Sequence, residues 1–161
     1  MIPFKKRISY LLIISLIVIL IDQISKYLVV HYLSYPLVII PGMLELVKAY
    51  NHGIAFGFFN KPQCLLNSKL LTLLSVGVLI MLISVYIASK DITVLSMISL
   101  SMIIGGAMGN IIDRLRQGYV VDFIDAYIKH SHWPTFNMAD SAITIGAVLL
   151  GIDLLFSKKK V

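Results

Sequence analysis

Two aspartates in the C-terminal third of the sequence could form a catalytic pair. Asp122 lies in GYVVDFID, between Val121 and Phe123, and Asp140 lies at the start of a long apolar run, in FNMADSAITIG. A carboxylate loses hydration in such surroundings, so a specific reason is needed to keep it there. Two acids held together in a partly desolvated site share a proton, and such a pair can activate a water for attack on an amide. The pattern therefore indicates aspartic-protease chemistry.

Other polar residues at the ends of the apolar runs have a structural interpretation beside a functional one. Asn137 is a natural helix N-cap, and Asp140 three residues later would complement the positive end of a helix dipole. Asn110, Asp113 and Arg114 stand at i, i+3 and i+4, so they share one helix face. This face could belong to the same site or could simply solvate a helix end, and both readings stay open.

Two further patterns favour contacts between helices. Asp22 and Lys26 are four residues apart in the first apolar run and can neutralise each other, which predicts an intramembrane ion pair that orients helices. Gly105 and Gly109 form a G-x-x-x-G motif. Its simplest interpretation is a close contact between helices, and the less favoured one is a channel for substrate.

The composition of the chain places these residues in a membrane. Of its 161 residues, 58% are hydrophobic and 14% are charged, whereas soluble domains contain about 25% charged residues. Four apolar runs have the length of ~20 residues that a helix needs to cross the hydrocarbon core of a bilayer. They are residues 8–30, 70–88, 92–112 and 138–156.

The distribution of basic residues predicts that both termini are cytoplasmic. Residues 1–7, 89–93 and 157–161 hold seven Lys or Arg in 17 positions, against six in the 63 positions of residues 31–69 and 114–137. The net charge of +6 resides at the two ends of the chain, so it indicates membrane topology and not a nucleic-acid partner. A cleaved signal peptide is the less favoured interpretation of the first run, because the run is too long and lacks an A-x-A site.

The two outward loops contain strand-like segments. Residues 37–50 alternate in part between apolar and polar, and residues 118–128 are rich in β-branched and aromatic side chains. Both predict short strands on the outer membrane surface. Because the linkers are too short for a second domain, residues 1–161 are expected to form one domain. The predicted fold is an all-α integral membrane protein with four transmembrane helices and a small extracytoplasmic β-rich region.

The signatures of other hydrolases are missing from the sequence. It contains no H-E-x-x-H and no G-x-S-x-G. His130 and His132 form an H-x-H without further Cys or His ligands, so we expect no metal site and no cofactor. His31 and His52 are isolated, and Cys64, the only cysteine, is interpreted as a packing residue.

Four motifs, in order along nearly the whole chain, carry a resemblance to a known family. They are DQISK at 22–26, NHGIAFG at 51–57, GGAMGNIIDR at 105–114 and FNMADSAITIG at 136–146. Together the motifs resemble the lipoprotein signal peptidases, or type II signal peptidases. Ile54 departs from the alanine that is frequent in the second motif, at a position that is not catalytic.

The resemblance implies a membrane aspartic endopeptidase that needs no cofactor. Such enzymes remove the signal peptide from diacylglyceryl-modified bacterial prolipoproteins, just before the lipidated cysteine. It implies Asp122 and Asp140 as catalytic, and it implies other positions that contact substrate or the antibiotic globomycin: Asn51, Asn110, Arg114 and Asn137. The positions implied to support these are Asp22, Lys26 and Asp113. The implied architecture is four helices with an external β-rich cradle.

The expected setting is the bacterial cytoplasmic membrane, with the active site on the extracytoplasmic side. The expected partners are lipidated prolipoproteins and membrane lipids, with no nucleic acid, and the enzyme is expected to act as a monomer. The alternative is a small proton-coupled carrier that uses Asp22, Asp122 and Asp140 as a relay. A carrier is expected to have an internal repeat or acids spread through the membrane midplane, and the sequence has neither. A noncatalytic scaffold would leave the clustering of the polar residues unexplained.

Overall fold

The computed structural model describes residues 2–53, 65–89 and 91–156, and this part of the chain forms four long helices and four short strands. The helices are α1 (Phe4–Tyr32), α2 (Leu65–Ala88), α3 (Val94–Gln117) and α4 (Met138–Phe156). The strands are β1 (Leu37–Ile40), β2 (Leu44–Asn51), β3 (Val120–Ile128) and β4 (Ser131–His132). All four helices are long and apolar enough to cross a membrane, which confirms the predicted fold class. Cys64 lies outside the described residues.

The local sequence defines both ends of α3. The Thr93 side chain caps the first turn, and Gly118 ends the helix in the left-handed conformation with a φ of 82°. The helix continues to Gln117, beyond the predicted limit at residue 112, so its last turn is polar. Just before that turn, Asp113 forms an ion pair with Lys26 of α1 at 2.8 Å.

Small residues allow α1 to lie close against the central helix α3. A Cβ atom on Gly105 would lie 2.9 Å from the backbone of Ser15, and one on Gly109 would lie 2.6 Å from the carboxylate of Asp22. A side chain at Gly105 would force the two helix backbones apart, and one at Gly109 would displace the carboxylate of Asp22. The G-x-x-x-G is therefore a helix contact, as the sequence predicted.

Gly106 provides the matching contact with α4, and its substitution should be costly. A methyl group there would overlap the carbonyl oxygen of Ala139 and lie 2.8 Å from Ile143. We expect Gly106→Ala to lower the free energy of unfolding by about 1–3 kcal/mol, since helix backbones move apart less easily than side chains. Gly77→Ala is the control, because no described atom lies within 4 Å of its Cβ position. Equal melting temperatures of the two variants in detergent would contradict this packing.

The dense apolar core lies at the end of the bundle that contains the N-terminus. It consists of five buried side chains from α1, α2 and α3: Leu11, Tyr86, Met97, Leu100 and Ile104. Arg7 is buried beside them, where its guanidinium donates to the carbonyl of Tyr86 and its own carbonyl accepts from Tyr86 Oη at 2.7 Å. This region fixes α2 and leaves the opposite end of α1, α3 and α4 for polar side chains.

The four strands form one antiparallel sheet in the order β1-β2-β3-β4. Strands β1 and β3 lie within the two segments that the sequence predicted as strands, and β2 extends one residue beyond the first segment, to Asn51. Strand β4 was not predicted, because it lies beyond the second segment, which ended at residue 128. Asn51 at the end of β2 pairs with Val120 at the start of β3, and Ala49 pairs with Asp122. Since β3 follows α3 almost directly, this register brings the ends of β2 and β3 to the polar ends of the helices.

Candidate active site

Asp140 lies in the first turn of α4, where the fold both buries and orients it. Asn137 caps this helix, since its Oδ1 accepts a hydrogen bond from the Asp140 N–H at 2.9 Å. The residue is 7% exposed, and its Oδ1 accepts from Asn110 Nδ2 at 2.8 Å. Its second oxygen, Oδ2, receives no hydrogen bond from the described residues. That oxygen can therefore face a water or a substrate.

Asp122 comes to the same place from β3. It is 2% exposed, and both of its carboxylate oxygens accept hydrogen bonds from amides. Asn137 Nδ2 donates to Oδ1 at 2.7 Å, and Asn51 Nδ2 donates to Oδ2 at 2.9 Å. The amide of Asn51 is oriented by the N–H of Gly53, which donates to its oxygen at 2.9 Å.

Asn137 connects the two aspartates. Its oxygen accepts from the backbone of Asp140 while its nitrogen donates to the carboxylate of Asp122. The same nitrogen also contacts the carbonyl of Val121 at 3.2 Å. The Asn137 side chain thus caps α4, as the sequence predicted, and also contacts the carboxylate of Asp122.

Behind the aspartates lies a buried ionic cluster shared by α1 and α3. Lys26 Nζ is 2.8 Å from Asp22 Oδ2, 2.8 Å from Asp113 Oδ2 and 3.0 Å from Asn110 Oδ1. The predicted pair of Asp22 and Lys26 is confirmed, with Asp113 as a third member. Asp22 Oδ1 also accepts from the N–H of Ala139 at 3.0 Å, which ties the cluster to the start of α4.

Gln23 belongs to this cluster and was missed in the sequence analysis. Its Nε2 donates to Asp113 Oδ1 at 2.9 Å and to Asp22 Oδ2 at 3.1 Å. The residue lies inside the DQISK motif, so the motif contained the signal. Helix periodicity did not reveal it, because Gln23 follows Asp22 directly and only the neighbouring helix brings Asp113 to it.

Arg114 stands at the edge of the two-aspartate site. Its guanidinium donates to the carbonyl of Gly53 at 3.3 Å and interacts electrostatically with three carboxylates, those of Asp140, Asp122 and Asp113. It is only partly buried, in contrast to the buried Asn110 and Asn137. All the side chains that the sequence analysis assigned to the site therefore lie in one connected network: Asp22, Lys26, Asn51, Asn110, Asp113, Arg114, Asp122, Asn137 and Asp140.

A groove of about 390 Å³ opens beside Asp140. Its lining combines aromatic and aliphatic side chains with two hydroxyls from α4: Trp133, Phe136, Asp140, Ser141, Thr144 and Ile145. Ile145 is half exposed, and the exposed Val148 continues the same face of α4 toward the bundle middle. The groove thus leads from the carboxylate to an apolar helix surface of the kind that faces lipid.

Asp125, three residues after Asp122, lies outside the network. Its carboxylate contacts His132 Nδ1 at 2.9 Å, and the ring of His132 stacks on Tyr127. This contact gives the second histidine of the H-x-H a structural partner. Within residues 2–53, 65–89 and 91–156, no three His, Cys, Asp or Glu side chains are grouped as metal ligands.

Burial raises the pKa of the Asp122 carboxyl from its ordinary 3.8 to about 6. The negative charge of Asp140 acts in the same direction, while the amides of Asn51 and Asn137 and the charge of Lys26 oppose it. A carboxyl with this pKa keeps a proton to higher pH than a solvated aspartate. Two neighbouring acids, one with a retained proton, can supply both a base and an acid to one reaction.

The raised pKa predicts a pH-dependent difference in stability between the wild type and Asp122→Asn. Because the folded pKa exceeds the unfolded one, ionisation of Asp122 destabilises the fold as pH rises from about 4 to about 6, by on the order of 3 kcal/mol. The melting temperature of Asp122→Asn minus that of the wild type should therefore increase across this window and stay level above it. A difference that is constant from pH 4 to pH 7.5 in detergent would show that the carboxyl titrates normally.

The sequence is similar to those of known proteins over most of its length. Residues 14–156 match the family described as Signal peptidase (SPase) II. A lipoprotein signal peptidase from Francisella tularensis subspecies novicida (strain U112) is 39% identical over 157 residues, which cover 97% of each chain. One from Coxiella burnetii (strain RSA 493 / Nine Mile phase I) is 44% identical over 148 residues, which cover 89% of this chain and 88% of the relative.

The fold is also similar to solved structures of bacterial membrane enzymes. One has a TM-score of 0.82 at 31% identity and covers 96% of this chain and 94% of its own. A second has a TM-score of 0.79 at 31% identity and covers 92% and 94%. Sequence and structure thus agree over nearly the whole length, and the chain belongs to the signal peptidase II family of aspartic-type proteases.

Proposed function

We propose that this protein removes the signal peptide from diacylglyceryl-modified prolipoproteins by cutting just before the lipidated cysteine, with Asp122 and Asp140 as the catalytic pair. The observation that carries the proposal is the bridge through Asn137, which joins the two buried carboxylates beside a groove that opens onto an apolar face of α4. The names of the similar lipoprotein signal peptidases support the class of substrate.

The reaction requires one proton shared by the two aspartates. The ionised carboxylate takes a proton from a water, and the resulting hydroxide attacks the scissile carbonyl carbon. The protonated carboxyl gives its proton to the carbonyl oxygen, which forms a tetrahedral diol. When the C–N bond breaks, one diol hydroxyl returns its proton to the pair, and the leaving nitrogen takes the other proton that the pair holds. The pair then again contains one proton.

The surrounding amides and the guanidinium hold this pair and can bind the substrate. Asn51, Asn110 and Asn137 present N–H groups to the carboxylates, so the ionised form is stabilised without solvent. Arg114 carries a positive charge at the edge of the site, where it can stabilise the oxyanion that develops on the carbonyl. We propose that these four residues also contact substrate backbone or the lipid ester, and that globomycin occupies the same place.

The position of the site along the helices matches a substrate that is itself held in the membrane. Asp140 is in the first turn of α4 and Asn110 is two turns from the end of α3, so the acids lie near one end of the membrane-spanning helices. A precursor with a signal helix and acyl chains would present its scissile bond at that depth. This position of the scissile bond would explain why Asp140 lies in the first turn of α4.

We propose that this end of the bundle is extracytoplasmic and that both termini are cytoplasmic. Reporters fused after Lys90 and after Lys160 should then both give a cytoplasmic signal, and a reporter near Lys61 should give an external one. The expected reason is the high density of Lys and Arg at the chain ends. A cytoplasmic signal at Lys61 would place the aspartates on the wrong side of the membrane for exported precursors.

We also propose that residues 1–161 act as one domain and as a monomer. The network draws its side chains from α1, β2, α3, β3 and α4 of a single chain. No contribution from a second copy is needed to complete it.

A cleavage assay with purified components tests the proposed function. The protein in detergent, with EDTA present, should convert a diacylated prolipoprotein to two products, and the new N-terminus should be the lipidated cysteine. The control is the same precursor with its cysteine replaced by serine before the lipidation step. Cleavage at another bond, or no cleavage by well-folded protein, would overturn the proposal.

A further inference from the structure

We propose that Lys26 is a positioning residue of this peptidase: by holding the side-chain oxygen of Asn110, it directs the Asn110 amide nitrogen onto the carboxylate of Asp140. The inference rests on the proposed function, since it takes Asp140 to be one of the two catalytic acids. Lys26 would thus do more than pair with Asp22 to hold two helices together.

The contacts of Asn110 show why its orientation matters. Lys26 Nζ donates to its Oδ1 at 3.0 Å, and its Nδ2 donates to Asp140 Oδ1 at 2.8 Å. If the amide were rotated by half a turn, its nitrogen would face the ammonium and its oxygen would face the carboxylate. Both contacts would become repulsive. The rotated form would fit only if Asp140 carried a proton toward Asn110, and the acid would then be unable to act as a base.

Asn110 differs from the other two amides of the site in the donors that its oxygen receives from the described residues. The oxygens of Asn51 and Asn137 accept hydrogen bonds from backbone N–H groups, those of Gly53 and Asp140. The oxygen of Asn110 receives hydrogen bonds from side chains, Lys26 and the amide of Asn137 at 3.2 Å. The ammonium is the closer and the charged donor, so it contributes more to the preferred orientation.

Lys26 is itself held without freedom to turn away. An ammonium has three N–H donors, and three oxygens lie within reach: those of Asp22, Asp113 and Asn110. The side chain is 4% exposed, so water does not compete for these contacts. Each donor therefore has one partner, and the hydrogen bond to Asn110 is part of a rigid arrangement.

The test must remove this hydrogen bond without leaving a buried charge imbalance. Lys26→Met alone would leave Asp22 and Asp113 without a cation, so the comparison sets the double variant Asp22→Asn/Lys26→Met against the wild type, and Asp22→Asn alone measures the effect of losing that acid. The cluster in the double variant keeps the net charge of minus one that it has in the wild type. An amide oxygen at position 22 can still accept from the N–H of Ala139.

Steady-state cleavage of the lipidated precursor should separate positioning from packing. Relative to the wild type, the double variant should show a kcat lower by roughly 10- to 100-fold with KM changed less than about twofold, since Lys26 is separated from the substrate by Asn110. Asp22→Asn alone keeps Lys26 on Asn110 and should lower kcat much less. Gln23→Met is the matched control, because Gln23 contacts the same two acids but not Asn110. It should lower the melting temperature and lower kcat far less than the double variant does.

A double-mutant cycle decides whether the effect passes through Asn110. In an Asn110→Ala background, removal of Lys26 should reduce kcat by less than about twofold, because the amide that it orients is absent. Equal reductions in both backgrounds, or a kcat loss in Gln23→Met as large as that of the double variant, would overturn the inference. Cleavage by folded Asp140→Asn would instead overturn the proposed function, so the two failures are distinct.

Discussion

Asp122→Asn and Asp140→Asn are each expected to lower the rate of precursor cleavage by at least about 10³-fold. Each substitution removes a carboxylate that must hold or accept the shared proton, and general acid and base groups contribute about 10²- to 10⁴-fold each. Asp140→Asn is the closer isostere, because an amide nitrogen can replace the Oδ2 that receives no hydrogen bond from the described residues. Asp122→Asn must place an amide nitrogen against one of two donors, Asn51 or Asn137.

Asp125→Asn is the control for both substitutions. The residue lies on the same strand as Asp122 and is also buried, but its carboxylate contacts His132 and not the site. It should therefore keep most of the wild-type activity. A loss of cleavage in Asp125→Asn alone would mean that the wrong acid of β3 has been assigned to the pair. Steady-state cleavage at matched protein amounts measures all three variants, and thermal melting confirms their folding.

The second large effect concerns the lipid on the substrate. A precursor without the diacylglyceryl group should be cut with a kcat/KM at least about 10²-fold lower than that of the lipidated precursor. The groove beside Asp140 opens toward exposed apolar side chains of α4, Ile145 and Val148, so the membrane-held part of a substrate can position the scissile bond.

Both precursors should have the same sequence and should be presented in the same detergent, so that only the acyl chains differ. Raising the concentration of the unlipidated precursor should not restore the rate of the lipidated one, because the missing contribution is orientation as well as binding. Equal kcat and KM for the two substrates would remove lipid-dependent positioning from the mechanism and leave the two aspartates unaffected.

The sequence predicted much of the fold because a bilayer imposes strong constraints. Long apolar runs with at most two charged residues each identified four helices, and an acid four residues before a lysine in the first run identified the contact of Asp22 and Lys26. Asn137 was predicted as a helix cap from its position alone, and the structure shows that cap. These features depend on local spacing, which a single sequence contains.

Features that depend on the approach of distant segments were not predictable in the same way. Gly106 contacts α4 although the motif around it directed attention to Gly105 and Gly109. Gln23 joins the ionic cluster only because α3 brings Asp113 to it. The orientation of Asn110 between Lys26 and Asp140 requires three elements at once. Spacing on one helix could place Asn110 on a face, but it could not reveal its two partners.

The central claim is that Asp122 and Asp140 act as one catalytic unit, and single-turnover cleavage by the double variant Asp122→Asn/Asp140→Asn tests it most directly. The measurement compares this protein with both single variants and the wild type, at matched amounts of folded enzyme and with one lipidated precursor. Residues that act as a unit are strongly non-additive, so the double variant should be scarcely slower than the slower single variant. Losses that multiply in the double variant, or substantial cleavage by either folded single variant, would contradict the two-aspartate mechanism.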